Sequence, residues 1–138
     1  MNKILLAATV IVLLTEFTKC PAGLVDSSLY KNKWYLVKIY QPTGTEVVKG
    51  KTVFIKFNQE DKSVGGNGGC NAFGSALSVS GNKISISQIT VTEMYCEGVQ
   101  ETENAFLRQL VKMNRFEIKD KALMIYMDKD LLLEFISE

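Results

Sequence analysis

The sequence predicts an α+β domain: a curled antiparallel sheet or partly open β-barrel with one α-helix packed across it. Three observations lead there. About eight short runs alternate apolar and polar residues and are divided by turn residues. A single stretch, Val99 to Met113, instead repeats at helical spacing. Between two of the extended runs lies "GGNGGCNAF", residues 65–73, a cluster suited to a bulge or corner of a bent sheet.

The first run is Lys33 to Tyr40, rich in aromatic and branched residues, and Pro42, Gly44 and Thr45 mark a loop after it. Thr52 to Asn58 places Val53, Ile55 and Phe57 on one face. Asn58 to Lys62 is a polar turn, and "SVGG" reads as a short returning strand. "FGSALSV" resumes extended character, with Ser80 to Lys83 as a hairpin turn into "KISISQI". "TVTEMYC" then leads to Cys96. In the helix, Val99, Phe106, Leu110 and Met113 share a face, flanked by Leu107 and Val111. Glu101 and Glu103 near its start, with Arg108 and Lys112 near its end, suit the helix dipole. "RFEIK", "ALMIYM" and "LLLEFI" close the chain as three strands.

The start reads differently. Lys3 precedes an apolar run from Ile4 to Leu14. Eleven helical residues span about 16 Å, short of the ~30 Å hydrocarbon core, so the run fits the apolar region of a signal peptide over residues 1–20. Cys20 stands where a lipoprotein cysteine would, although Lys19 is a poor neighbour for the cleaved bond. Lipidation at Cys20 is the favoured reading and a cut after Ala22 the alternative. Either leaves Cys70 and Cys96 as an even pair for an oxidising compartment. Residues 21–28 read as a linker and residues 29–138 as one domain.

Composition narrows the function. Hydrophobic residues make up 46% and charged residues 22%, an ordinary globular balance. The net charge is +1, which provides no broad basic surface for nucleic acid. There is no histidine, which removes His-based triads, dyads, metal ligands and general bases together. Glu93, Glu97 and Glu101 are the clustered carboxylates near the unusual loop, and solvated charge explains them best. No catalytic residue, cofactor or metal ligand is assigned.

"GGNGGCNAF" carries no nucleotide fingerprint. The third glycine of G-x-G-x-x-G is replaced by Asn71, and a strand, not a helix, follows. The cluster is therefore read as structural. Gly68 or Gly69 is expected at positive φ or against a neighbouring backbone, and Asn71 is expected to bond main chain.

These residues resemble the META domain family, whose members include HslJ-like bacterial heat-shock proteins. The likeness runs in order through "LYKNKWYLVKI", Gly66 with "GGCNAF", and Thr92, Met94 and Cys96. It continues through Glu103, Phe106 and Leu110 to the last two strands. The resemblance implies a strand-rich, barrel-like domain crossed by a helix, with no established reaction. Gly66, Gly68, Gly69, Asn71, Thr92, Met94, Glu103 and Phe106 are carried over as structural positions. Cys70 and Cys96, each in a family-like motif, are expected to form a disulfide. The functional expectation is a non-enzymatic, stress-related protein of the periplasm or outer membrane. It would be monomeric, held to a membrane by lipid on Cys20, and would assist another envelope protein by binding it. The alternative is a carrier of a small apolar ligand in a barrel groove.

Overall fold

The computed structural model describes residues 24–138. The signal segment, Cys20 and the start of the linker lie outside the described residues. A short helix, α1 (Ser28–Lys31), comes first, followed by β1 (Trp34–Gln41), β2 (Gly44–Val47), β3 (Phe54–Asn58), β4 (Ser63–Asn67), β5 (Ala72–Ser80) and β6 (Lys83–Val91). Helix α2 (Gln100–Leu110) precedes β7 (Arg115–Lys119), β8 (Ala122–Met127) and β9 (Asp130–Ser137).

All strand pairs are antiparallel, in the order β2-β1-β3-β4-β5-β6-β7-β8-β9, and β9 returns to pair with β1. The sheet thus curls into a ring. One side of β1 is shared: Trp34 and Tyr35 pair with β3, while Lys38 to Gln41 pair with β2. The loosest joint is β6–β7, where Lys83 and Arg115 form the single bridge. Two main-chain bonds support it, from Ile84 N–H to Asn114 O (3.1 Å) and from Phe116 N–H to Asn82 O (2.9 Å). A bulge blunts β6 near that open side. Gln88 sits at φ +57°, and the buried Ser75 hydroxyl donates to Ser87 O at 2.6 Å.

Alternation, shifted by one residue at the bulge between Leu36 and Lys38 of β1, explains the interior. Trp34, Leu36 and Ile39 of β1, Ile55 and Phe57 of β3, and Leu133 and Phe135 of β9 are buried. Phe106 of α2 is fully enclosed, edge-on to Phe73 at 5.6 Å and to Phe135 at 6.3 Å between ring centres. The helix therefore packs its apolar stripe into the curl of the sheet. Its last expected turn is looser than an α-helix: Lys112 and Met113 bond back to Gln109 and Leu110, three residues earlier. That tightening turns the chain into β7.

Three details differ from the sequence reading. The linker ends in α1, where Leu29 is buried and its carbonyl accepts the Trp34 indole N–H at 3.0 Å. The loop expected around Pro42 to Thr45 is only a hairpin tip, because β2 already begins at Gly44. "TVTEMYC" is split: Val91 ends β6, and Thr92 to Cys96 leave the sheet.

Candidate functional site

The glycine cluster makes the tight connection from β4 to β5. Gly69 has φ +121°, a backbone that suits glycine. The turn closes through Gly68 N–H to Asn71 O (2.8 Å) and Gly69 N–H to the Asn67 side chain (2.7 Å). Its consequence is that the N–H groups of Cys70 and Asn71 converge. Both donate to Oε2 of Glu103, at 3.0 and 2.6 Å. The cluster does build an anion cradle, but the anion is the chain's own carboxylate. Gly68 is required for the approach, since a Cβ there would lie 2.7 Å from Cγ of Glu103 and 2.8 Å from Oε2.

Asn71 extends this clasp outward. Its Nδ2 donates to Glu103 Oε1 (2.7 Å) and to Met94 O (2.9 Å). Its Oδ1 accepts from Met94 N–H (2.7 Å) and from the Thr92 hydroxyl (2.9 Å). Every bonding capacity of the amide is used. Gln100 Nε2 supplies a fourth donor to Glu103, at 3.3 Å. Burial by itself pushes the Glu103 carboxyl up; the bonds from Asn71, Cys70 and Gln100 together outweigh it and hold the carboxyl below its ordinary range.

Cys70 and Cys96 form a disulfide, with Cα atoms 5.8 Å apart. It spans 26 residues, a loop whose closure contributes about 3.5 kcal/mol in the chain-entropy picture. Reduction with dithiothreitol is therefore expected to lower the urea midpoint of the domain clearly. An unchanged midpoint would show that the clasp alone holds the loop.

The structure thus brings Gly66, Gly68, Gly69, Asn71, Thr92, Met94 and Glu103 to one end of the ring, with Phe106 one turn further along α2. Sequence reasoning gave Glu103 a place at the helix start that suits the dipole and a family-like structural position, without its burial; it is 1% exposed. The available signal was its position: Glu103, Phe106 and Leu110 follow one stripe at three- and four-residue steps. Gln109 is also buried and was not anticipated.

Met94 and Tyr95 face outward from this braced segment, 58% and 79% exposed. Their surroundings in sequence are acidic. From Ser63 to Leu107 the one basic residue is Lys83, against Glu93, Glu97, Glu101 and Glu103. Elsewhere, a groove of about 350 Å³ lies beside the far end of α2, lined by Pro42, Gln109, Lys112, Met127, Leu131 and Leu132 among others.

An antiparallel ring filled by one helix, with a disulfide and a buried carboxylate fastening a loop to the helix start, defines a small strand-rich α+β domain. The META domain model matches residues 27–138, and the chain belongs to the META domain family. Among solved structures it is similar to a protein from Burkholderia xenovorans determined by NMR, at 16% identity and TM-score 0.65 over 100% of this chain and 99% of that one. It is also similar to a DUF4847 family protein from Bacteroides vulgatus ATCC 8482, at 12% identity and TM-score 0.56 over 78% of this chain and 93% of that one. At such identities the likeness concerns the fold alone. No curated protein matches the chain.

Proposed function

We propose that this META-domain protein is a non-enzymatic component of the cell envelope, exported, lipid-anchored through Cys20, and acting by binding another envelope protein. The observation that carries this reading is the Met94–Tyr95 tip. A fold ordinarily buries such side chains, and here the main chain beneath them is fixed by the Asn71 amide and the Cys70–Cys96 bridge while both side chains stay in water. Tyrosine and methionine are enriched at interfaces, and a pre-ordered loop loses less entropy on binding. The buried carboxylate of Glu103 is occupied by structural donors, which supports a role other than acid–base chemistry. The stress-related part rests on the likeness of the motifs to HslJ-like proteins, and the envelope location on the N-terminal segment.

The test compares wild type with a Met94→Ser/Tyr95→Ser variant as baits in solubilised membranes. The expected result is a captured protein lost from the variant at an unchanged melting temperature; equal capture by both would remove the tip from the reading. Mass spectrometry of the mature N-terminus checks the anchor, with lipid on Cys20 expected and an unmodified start at Gly23 opposing it.

The groove beside α2 favours a second reading, a carrier of a small apolar ligand. With the interior filled by Trp34, Phe57, Phe106 and Phe135, that ligand would sit in a groove of the surface. Saturable binding of a fluorescent fatty acid, weakened by Leu131→Asp, would support the carrier.

A further inference from the structure

We infer that the Met94–Tyr95 tip docks into an apolar socket rimmed by lysine and arginine on a partner protein. This rests on the protein-binding reading and adds the chemistry of the partner. The tip has the composition of an interface anchor: two large, mostly exposed side chains at consecutive positions on a backbone that cannot easily rearrange. Thr92 N–H to Ala72 O (3.0 Å) and the Thr92–Asn71 bond fasten its near side, and Cys96 fastens its far side. The docking surface extends onto the shallow depression along Phe73, Gly74, Thr90 and Val91, where Val91 is 38% exposed.

Charge selects the occupant. Glu93 and Glu97 flank the tip and are both exposed. In this stretch no lysine or arginine lies between Lys83 and Arg108 to offset them, and Lys51, on the segment leading to Val53 beside Gly69, is paired with Glu138. An anionic lipid surface would repel this rim. A second copy docking through the same patch would set Glu93 and Glu97 against their own equivalents, which is unfavourable in a two-fold contact. A protein surface with basic residues around an apolar socket satisfies both parts of the tip.

The experiment places the photo-crosslinker p-benzoylphenylalanine at position 95 of the full chain, expressed in its own host. The same residue at position 111, where Val111 is 50% exposed on the far end of α2, is the control. Attachment sites are mapped by mass spectrometry, and the position-95 protein is repeated with Glu93→Lys and Glu97→Lys. The inference expects one dominant protein adduct at position 95, with lysine or arginine beside the attachment site. It expects the yield to fall about tenfold on charge reversal at an unchanged melting temperature. A protein adduct that is indifferent to the reversal and lacks basic neighbours would overturn the basic socket while leaving protein binding intact. Lipid adducts alone, or no adduct above the control, would overturn both.

Discussion

Glu103→Gln is expected to lower stability by about 2–4 kcal/mol, the range for leaving buried donors unpaired around a lost charged acceptor. All four groups around the carboxylate are donors: the Cys70 and Asn71 N–H groups, Asn71 Nδ2 and Gln100 Nε2. Glutamine would bring its own N–H₂ against them, so one side of the clasp would face donor to donor. Urea denaturation at neutral pH measures the loss. Glu101→Gln, on the exposed side of the same turn, is the control and should stay within about 0.5 kcal/mol of wild type. Equal effects at the two positions would mean that the clasp contributes nothing specific. The pH dependence has a definite sign. The folded carboxyl titrates below its ordinary value of 4.5, so its stabilisation is complete above that value and is lost as the pH falls through the lower, folded one. Glu103→Gln should flatten that acid limb.

Gly66→Ala is expected to cost more, above about 4 kcal/mol, and to prevent folding of the isolated domain at 37 °C. Gly66 lies opposite Ile55 in the β3–β4 pair. A Cβ there would overlap the Phe54 carbonyl oxygen, with the Phe54 carbonyl carbon 2.9 Å away and Ile55 Cα at 3.1 Å. These are main-chain atoms of a paired strand, so relief would require separating β3 from β4. Gly74→Ala supplies the comparison, because a Cβ there would come no nearer than 4.0 Å to Thr90 Oγ1. Far-ultraviolet circular dichroism and melting of the two variants decide the matter: similar melting temperatures would show that the sheet flexes to accept the methyl group.

How much of this was legible depended on whether a feature is local. The alternation in Lys33–Tyr40 and Thr52–Asn58 is a property of neighbouring residues, and burial of Trp34, Leu36, Ile55 and Phe57 follows from it. Strand β2 has no such pattern: Gly44, Thr45 and Val47 are exposed, and the strand exists because the hairpin folds back on β1. Helix α1 is four residues long, too short to show a period. The Cys70–Cys96 pairing could be anticipated because cysteines are few. The burial of Glu103 could not be read as readily, because its main-chain donors are 32 and 33 residues away and belong to backbone, which has no letter in a sequence. A glutamate on an apolar helical stripe is the trace such an arrangement leaves. The glycine cluster was legible as difficult backbone, and its cradle became visible only with the helix in place.

The return of β9 to β1 has a consequence for how the protein is made. Trp34 is seated opposite Ser137, so the first strand of the domain waits for the last. A growing chain can form the β4–β5 and β5–β6 hairpins as soon as they emerge, since each joins neighbours in sequence. It cannot shut the ring until β9 is synthesised and free to move. Until then β1 keeps an unpaired edge, and the aromatic interior, with Phe135 missing, stays open on one side. Loss of β9 at the ribosome would leave a domain with no closed core, a natural substrate for proteolysis.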